Sequence, residues 1–117
     1  ETALPAIARI LETLKPEAKA LVIVEVDGPA DEITLRSPAT LDLRFLHRGG
    51  AEPGTVGALP RALADLDWSA VGPDPFVWAA CEFNDFKAIR RHLRGTLGLA
   101  RDRHMAVAYW RRGKSGE

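Results

Sequence analysis

The sequence predicts an α/β fold: an open parallel sheet with helices on both faces. Apolar runs of strand length alternate along the chain with segments whose apolar residues recur at helical spacing, the pattern of parallel strands joined by helices. One run, ALVIVEV (Ala20–Val26), is almost continuous in Ala, Leu, Val and Ile, as a strand covered on both sides must be. No linker and no internal repeat divides the 117 residues, so a single domain over 1–117 is expected.

Taken in order, Leu4, Ile7, Leu11 and Leu14 share one face of an opening helix, with Thr2 placed as its N-cap and Pro16 as its stop. Ala20–Val26 is the first strand, and Gly28 with Pro29 breaks it. Glu32–Arg36 reads as a short extended arm. In LDLRFLHR (Leu41–Arg48), Leu41, Leu43 and Phe45 alternate onto one face of a second strand. Gly49–Gly57 is a Gly-rich loop, and Leu59, Ala62, Leu63 and Leu66 then mark a short helix. FVWAAC (Phe76–Cys81) is a third strand. The helix after it turns Phe86, Ile89, Leu93 and Leu97 inward and leaves Lys87, Arg90, Arg91 and Arg94 outside. HMAVAYW (His104–Trp110) is the last strand.

Composition narrows the function classes. With 46% hydrophobic and 27% charged residues the chain is globular, not disordered. No apolar run approaches the ~20 residues of a membrane span, and no signal-peptide pattern opens the chain. The single Cys81 excludes an intrachain disulfide. These features are compatible with a reducing cytoplasm, which is the expected location. The net charge of zero conceals an asymmetry. Residues 1–86 carry fourteen acidic and seven basic side chains, a net of −7, whereas residues 87–117 carry nine basic and two acidic, a net of +7. The basic third is either a solvated helix face and tail or a surface that steers an anionic ligand. No nucleic-acid-binding motif accompanies it.

Open α/β sheets bind ligands beyond the carboxyl ends of their strands, so the segments to inspect are VDGPADE, HRGG, CEFND and YWRRG. No G-x-G-x-x-G and no Walker loop follows any strand. Cys81, His47, His92 and His104 match no zinc spacing, so no metal site is expected. Asp27, Asp31 and Glu32 crowd the first turn, where an acidic residue either bonds ribose hydroxyls or simply makes a polar turn. Arg48 ends the second strand, and its planar fork suits a phosphate. Tyr109 and Trp110 either stack on a planar ligand or pack in the core. Glu82 opens a helix whose N-terminus attracts anions.

Several segments together resemble the C-terminal domain of siderophore-interacting proteins, the flavin-dependent ferric-siderophore reductases. ETALPAIARILETL (Glu1–Leu14), VIVEVDGPADE, FLHRGG (Phe45–Gly50), FVWAACEFNDFKAIRRHL and AYWRRG (Ala108–Gly113) are similar to that family's segments, in the same order and across the chain. The resemblance implies a nucleotide-binding domain of the ferredoxin-reductase type. NAD(P)H, either NADPH or NADH, would deliver hydride to FAD held by an N-terminal barrel domain in cis. Electrons would then reach a ferric siderophore at the domain interface, and Fe(II) would be released. It implies cofactor-binding roles for Thr2, Asp27, His47, Arg48, Cys81, Glu82, Tyr109, Trp110 and Arg111, with Arg48 reading the adenosine 2′-phosphate, and it assigns no catalytic side chain. Cys81 stands where the family has Gly, Phe45 where it has Trp, and Ala108 where it has Gly. The resemblance places the family's first strand and its flavin barrel before Glu1, so a domain lacking its first strand, and prone to self-association, is expected. The rival expectation is a non-catalytic nucleotide-binding or protein-interaction module of the same fold.

Overall fold

The computed structural model describes residues 3–52, 55–68 and 75–111. They fall into two compact units that divide after Glu52, each with its own pair of strands.

In the first unit, helix α1 (Leu4–Glu12) begins after Ala3, with Pro5 in its first turn, where a missing N–H costs nothing. The Thr2 expected as its cap lies outside the described residues. The helix ends at Thr13, whose Oγ1 donates to the Ile10 carbonyl at 2.7 Å. Ser37 closes the same end from a distance: its hydroxyl donates to the Leu11 carbonyl at 2.6 Å and accepts the Ala39 N–H at 3.1 Å. Strands β1 (Lys19–Val26) and β2 (Thr40–His47) pair in parallel, in register from Lys19 opposite Thr40 to Val26 opposite His47. Val22, Val24 and Val26 are buried with Leu11 and Leu35, and Leu41, Leu43 and Phe45 pack against them. Burying a valine from water contributes roughly 1.5–3 kcal/mol, so this one face carries much of the unit's stability.

The arm expected at Glu32–Arg36 forms no strand. It is part of a crossover whose one regular element is the 3₁₀ turn Pro29–Asp31, and it brings Leu35 into the core. Parallel strands need a connection of about a dozen residues, and here packing of Leu35 and the Ser37 bond replace a helix.

In the second unit, α3 (Phe83–Arg91) packs over β3 (Val77–Glu82) and β4 (His104–Trp110), which are again parallel, and α2 (Ala58–Asp65) packs against α3. Cys81, Ile89 and Leu93 form the buried centre, ringed by Leu59, Leu63, Val77, Ala79, Phe86 and Leu97. The four cationic residues expected outside α3, Lys87, Arg90, Arg91 and Arg94, are all exposed. The helix runs on through one wider π turn, His92–Thr96, closed by the Leu97 N–H on the His92 carbonyl at 2.9 Å. Gly98 then takes φ +65°, which lets the chain reverse and the Leu99 N–H reach back to the Leu93 carbonyl.

Among the described residues, no helix is long and apolar enough to cross a membrane.

Candidate functional site

Both strand pairs are parallel, so each unit has one edge where its strands end together. All the expected site residues that are described lie at one of these two edges.

At the edge of the first unit, the ladder continues past the strands. The Arg48 N–H donates to the Val26 carbonyl and the Gly49 N–H to the Asp27 carbonyl, both at 2.9 Å. The Asp27 carboxylate then accepts the Gly50 N–H at 2.9 Å. Gly49 and Gly50 have φ +62° and +90°, values that side-chain-bearing residues rarely adopt, so two glycines are required here. Asp27 is therefore the residue that shapes the loop after β2, whatever else it binds.

His47 is exposed, and its Nε2 lies 2.6 Å from the Glu32 carboxylate, joining the crossover to the end of β2. Arg48 points inward. Its Nη1 lies 3.4 Å from Glu25 Oε2, and the two side chains are only 7% and 9% exposed. The fork that the sequence offers to a phosphate is thus engaged inside the unit. Strand alternation accounts for this: Glu25 would face away from the valine core, and burial there is tolerated because a guanidinium meets it.

At the edge of the second unit, β3 runs directly into α3. Glu82 is 2% exposed and caps that helix: its Oε1 accepts the Asn84 N–H at 2.8 Å and the Asp85 N–H at 3.4 Å. Its carboxylate satisfies donors that an incoming anion would otherwise use. Cys81 is buried in the core and does not line the surface of the turn. The register slips here, because Cys81 pairs with Ala108 and Glu82 with Trp110. Tyr109 is the extra residue of that bulge, 43% exposed, with its ring edge-on to Trp78 at 6.4 Å. Bulges near strand ends re-aim side chains in this way. Trp110 is half-buried beside it.

Phe83, the first residue of α3, carries two cations over its ring. Lys87 Nζ lies 4.9 Å and the Arg111 guanidinium carbon 4.8 Å from the ring centroid. Contacts of this kind are worth about 0.5–1 kcal/mol at exposed sites. Here they hold two positive charges at the N-terminal end of a helix. Arg111 is among the residues expected here from the sequence; Phe83 and its pairing with Lys87 are not. The signal was present as an i, i+4 spacing directly after CE.

These groups offer binding: an acid-shaped glycine loop, an exposed histidine–glutamate pair, an aromatic pair at a bulge, and two cations on a ring. Among the described residues there is no group of three or more His, Cys, Asp or Glu able to hold a metal ion.

Residues 1–113 match the siderophore-interacting protein family. Ferric vibriobactin reductase ViuB of Vibrio cholerae is 33% identical over 116 residues, 99% of this chain and 42% of that protein. A siderophore utilization protein from T. fusca shares the fold with a TM-score of 0.85 and 42% identity, over 99% of this chain and 44% of the other. SipS, the siderophore-interacting protein of Aeromonas hydrophila, superposes with a TM-score of 0.78 at 30% identity, over 97% and 44% of the two chains. The chain thus spans less than half the length of the relatives it matches.

Proposed function

The chain belongs to the siderophore-interacting protein family, and from that premise we propose that it is the NAD(P)H-binding domain of a ferric-siderophore reductase. The observation that carries this reading is the cation cluster at the second unit's edge. Lys87 and Arg111 both contact the Phe83 ring at the N-terminal end of α3, and the exposed Tyr109 stands two residues before Arg111 in the chain. A dinucleotide brings a pyrophosphate and flat rings, and this edge offers charge for the one and aromatic surface for the others. When bound, NAD(P)H supplies hydride to FAD held by the remainder of the protein, whose electrons go singly to the ferric siderophore and release Fe(II).

The chain's own residues bind and orient. Asp27 holds the Gly49–Gly50 loop open to a ligand, since nothing lies within 4 Å of where a side chain at either glycine would begin. His47, exposed beside it, is the residue at this edge with a ring free to face solvent on one side. Arg48 acts through Glu25, holding the strand ends in place. Glu82 fixes the first turn of α3, and with it Phe83. Tyr109, Trp110 and Arg111 form the wall against which the nicotinamide end is placed. We further propose that the fold is of the ferredoxin-reductase type, and that a strand preceding this segment pairs with the second edge of β1.

A non-catalytic module of the same fold is the second reading. It is favoured by the inward commitment of Arg48, Cys81 and Glu82, three groups whose polar atoms face the protein and not the solvent. Calorimetric titration with NADPH and NADH tests the first reading. Saturable one-to-one binding is expected. No heat with either nucleotide at millimolar concentration would reject it.

A further inference from the structure

The second unit has a second basic feature, at the opposite end of its strands. An open cleft of about 240 Å³ lies where β4 begins, against the later part of α3. Its apolar lining is Phe86, Met105 and Ala106. Its rim is three arginines from two elements. Arg90 and Arg94 stand one turn apart on the helix, and Arg101 belongs to the 3₁₀ turn that leads into β4. No Asp or Glu lines it. The Arg90 guanidinium is held 5.9 Å from the centroid of the Phe86 ring, so charge and apolar lining are joined.

The crowding of charge makes this more than a solvated basic face. Like charges four residues apart on a helix repel, and a third brought to the same cleft adds to that cost unless an anion offsets it. His104 also lines the cleft and is 8% exposed.

We propose that this cleft binds a small oxyanion carried on a flat apolar body, of which an aryl carboxylate or aryl phosphate is the simplest form. The rim supplies planar forks that match a carboxylate or phosphate, and the apolar lining supplies an aromatic ring and a thioether for the body. The volume is below the range of whole-cofactor pockets and suits a ligand of this size. The cleft opens at the start of β4 and the proposed NAD(P)H edge lies at its end, but the two neighbour each other along α3, where the Phe86 and Phe83 rings are 6.1 Å apart. The inference rests on the cleft alone and not on the nucleotide reading.

Met105 is the one methionine of the sequence, so [methyl-¹³C]methionine labelling gives a single reporter in the cleft. The protein is titrated with benzoate, phenyl phosphate, inorganic phosphate and benzylamine. Benzoate and phenyl phosphate should shift the Met105 methyl signal saturably, with inorganic phosphate weaker and benzylamine without effect. Arg94→Gln and Arg101→Gln, both on exposed side chains, should each weaken benzoate binding by about five- to tenfold, while Arg36→Gln leaves it unchanged. No saturable shift, an equal shift from benzylamine, inorganic phosphate binding as tightly as phenyl phosphate, or undiminished affinity in both arginine variants would each overturn the proposal.

Discussion

The guanidinium of Arg48 lies 3.4 Å from the carboxylate of Glu25, and both side chains are less than a tenth exposed. A phosphate-reading arginine would have to leave that partner, so the pair separates two roles experimentally. Removing one member of a buried ion pair costs about 3–5 kcal/mol, and the long contact here argues for the lower end. Arg48→Ala should therefore lower the urea midpoint clearly and weaken NADPH and NADH alike. The double variant Glu25→Leu with Arg48→Met should recover most of the stability, because it removes both charges. A loss confined to NADPH, at unchanged stability, would return Arg48 to the 2′-phosphate.

Phe83 organises the other edge. Phe83→Leu keeps an apolar residue at the start of α3 but removes the ring that holds Lys87 and Arg111. NAD(P)H affinity should fall about three- to tenfold, as one or two contacts of 0.5–1 kcal/mol disappear. Lys87→Gln should give a similar loss and flatten the salt dependence of binding, since an exposed charge is screened within about 8–10 Å at ordinary ionic strength. Titration at two salt concentrations checks both. Binding indifferent to either change would place the dinucleotide elsewhere.

Much of the fold could be read from the chain, because its signals are local. A Val/Ile run marks β1, apolar alternation marks β2 and short apolar runs mark β3 and β4, all to within a residue or so, and the spacing of Phe86, Ile89 and Leu93 marks the inner face of α3. What could not be read depends on register or on distant partners. Ser37 reaches Leu11 across 26 positions, and Glu25 meets Arg48 only because β1 and β2 pair as they do. The crossover at Glu32–Arg36 reads as extended but joins no strand ladder among the described residues, since Leu35 anchors it to the core instead. The expected site residues that are described stand at the two strand-end edges, but the direction of Arg48, Cys81 and Glu82 has no local signal.

Cys81 tests that direction. At 7% exposure within the second core, its thiol should react with Ellman's reagent orders of magnitude more slowly in the native protein than in urea. NAD(P)H should not change the native rate. Fast native labelling, or strong protection by nucleotide, would put the thiol on the ligand surface.

The proposed chemistry belongs to a flavin that this segment is not proposed to hold by itself. The 117-residue chain with NADPH and a ferric chelate should therefore oxidise NADPH no faster than a protein-free control. Nicotinamide donates hydride, a two-electron equivalent, whereas Fe(III) accepts one electron, and the flavin makes that conversion. Robust turnover with no flavin present would sink the reductase reading as stated. Binding without turnover after addition of FAD and the flavin-bearing remainder would favour the non-catalytic module.

β1 pairs with β2 and β3 with β4, and among the described residues each of these strands has one strand neighbour. β1 is apolar along most of its length, with Leu21 and Ile23 half-buried on the face away from its valines. Each ladder hydrogen bond contributes only about 1 kcal/mol net, but a buried group left without one costs about 1–3 kcal/mol. Several such groups on β1 and β3 would consume most of a typical stability of about 5–15 kcal/mol. The lowest-cost remedy for an apolar edge is another strand, and a second copy of the chain is the strand always at hand. The isolated 117-residue chain should therefore self-associate. Light scattering on a sizing column should show a mass that rises from one chain towards two or more as protein concentration increases. A monomer at every concentration would reject the prediction and mean that these edges are covered within a single chain.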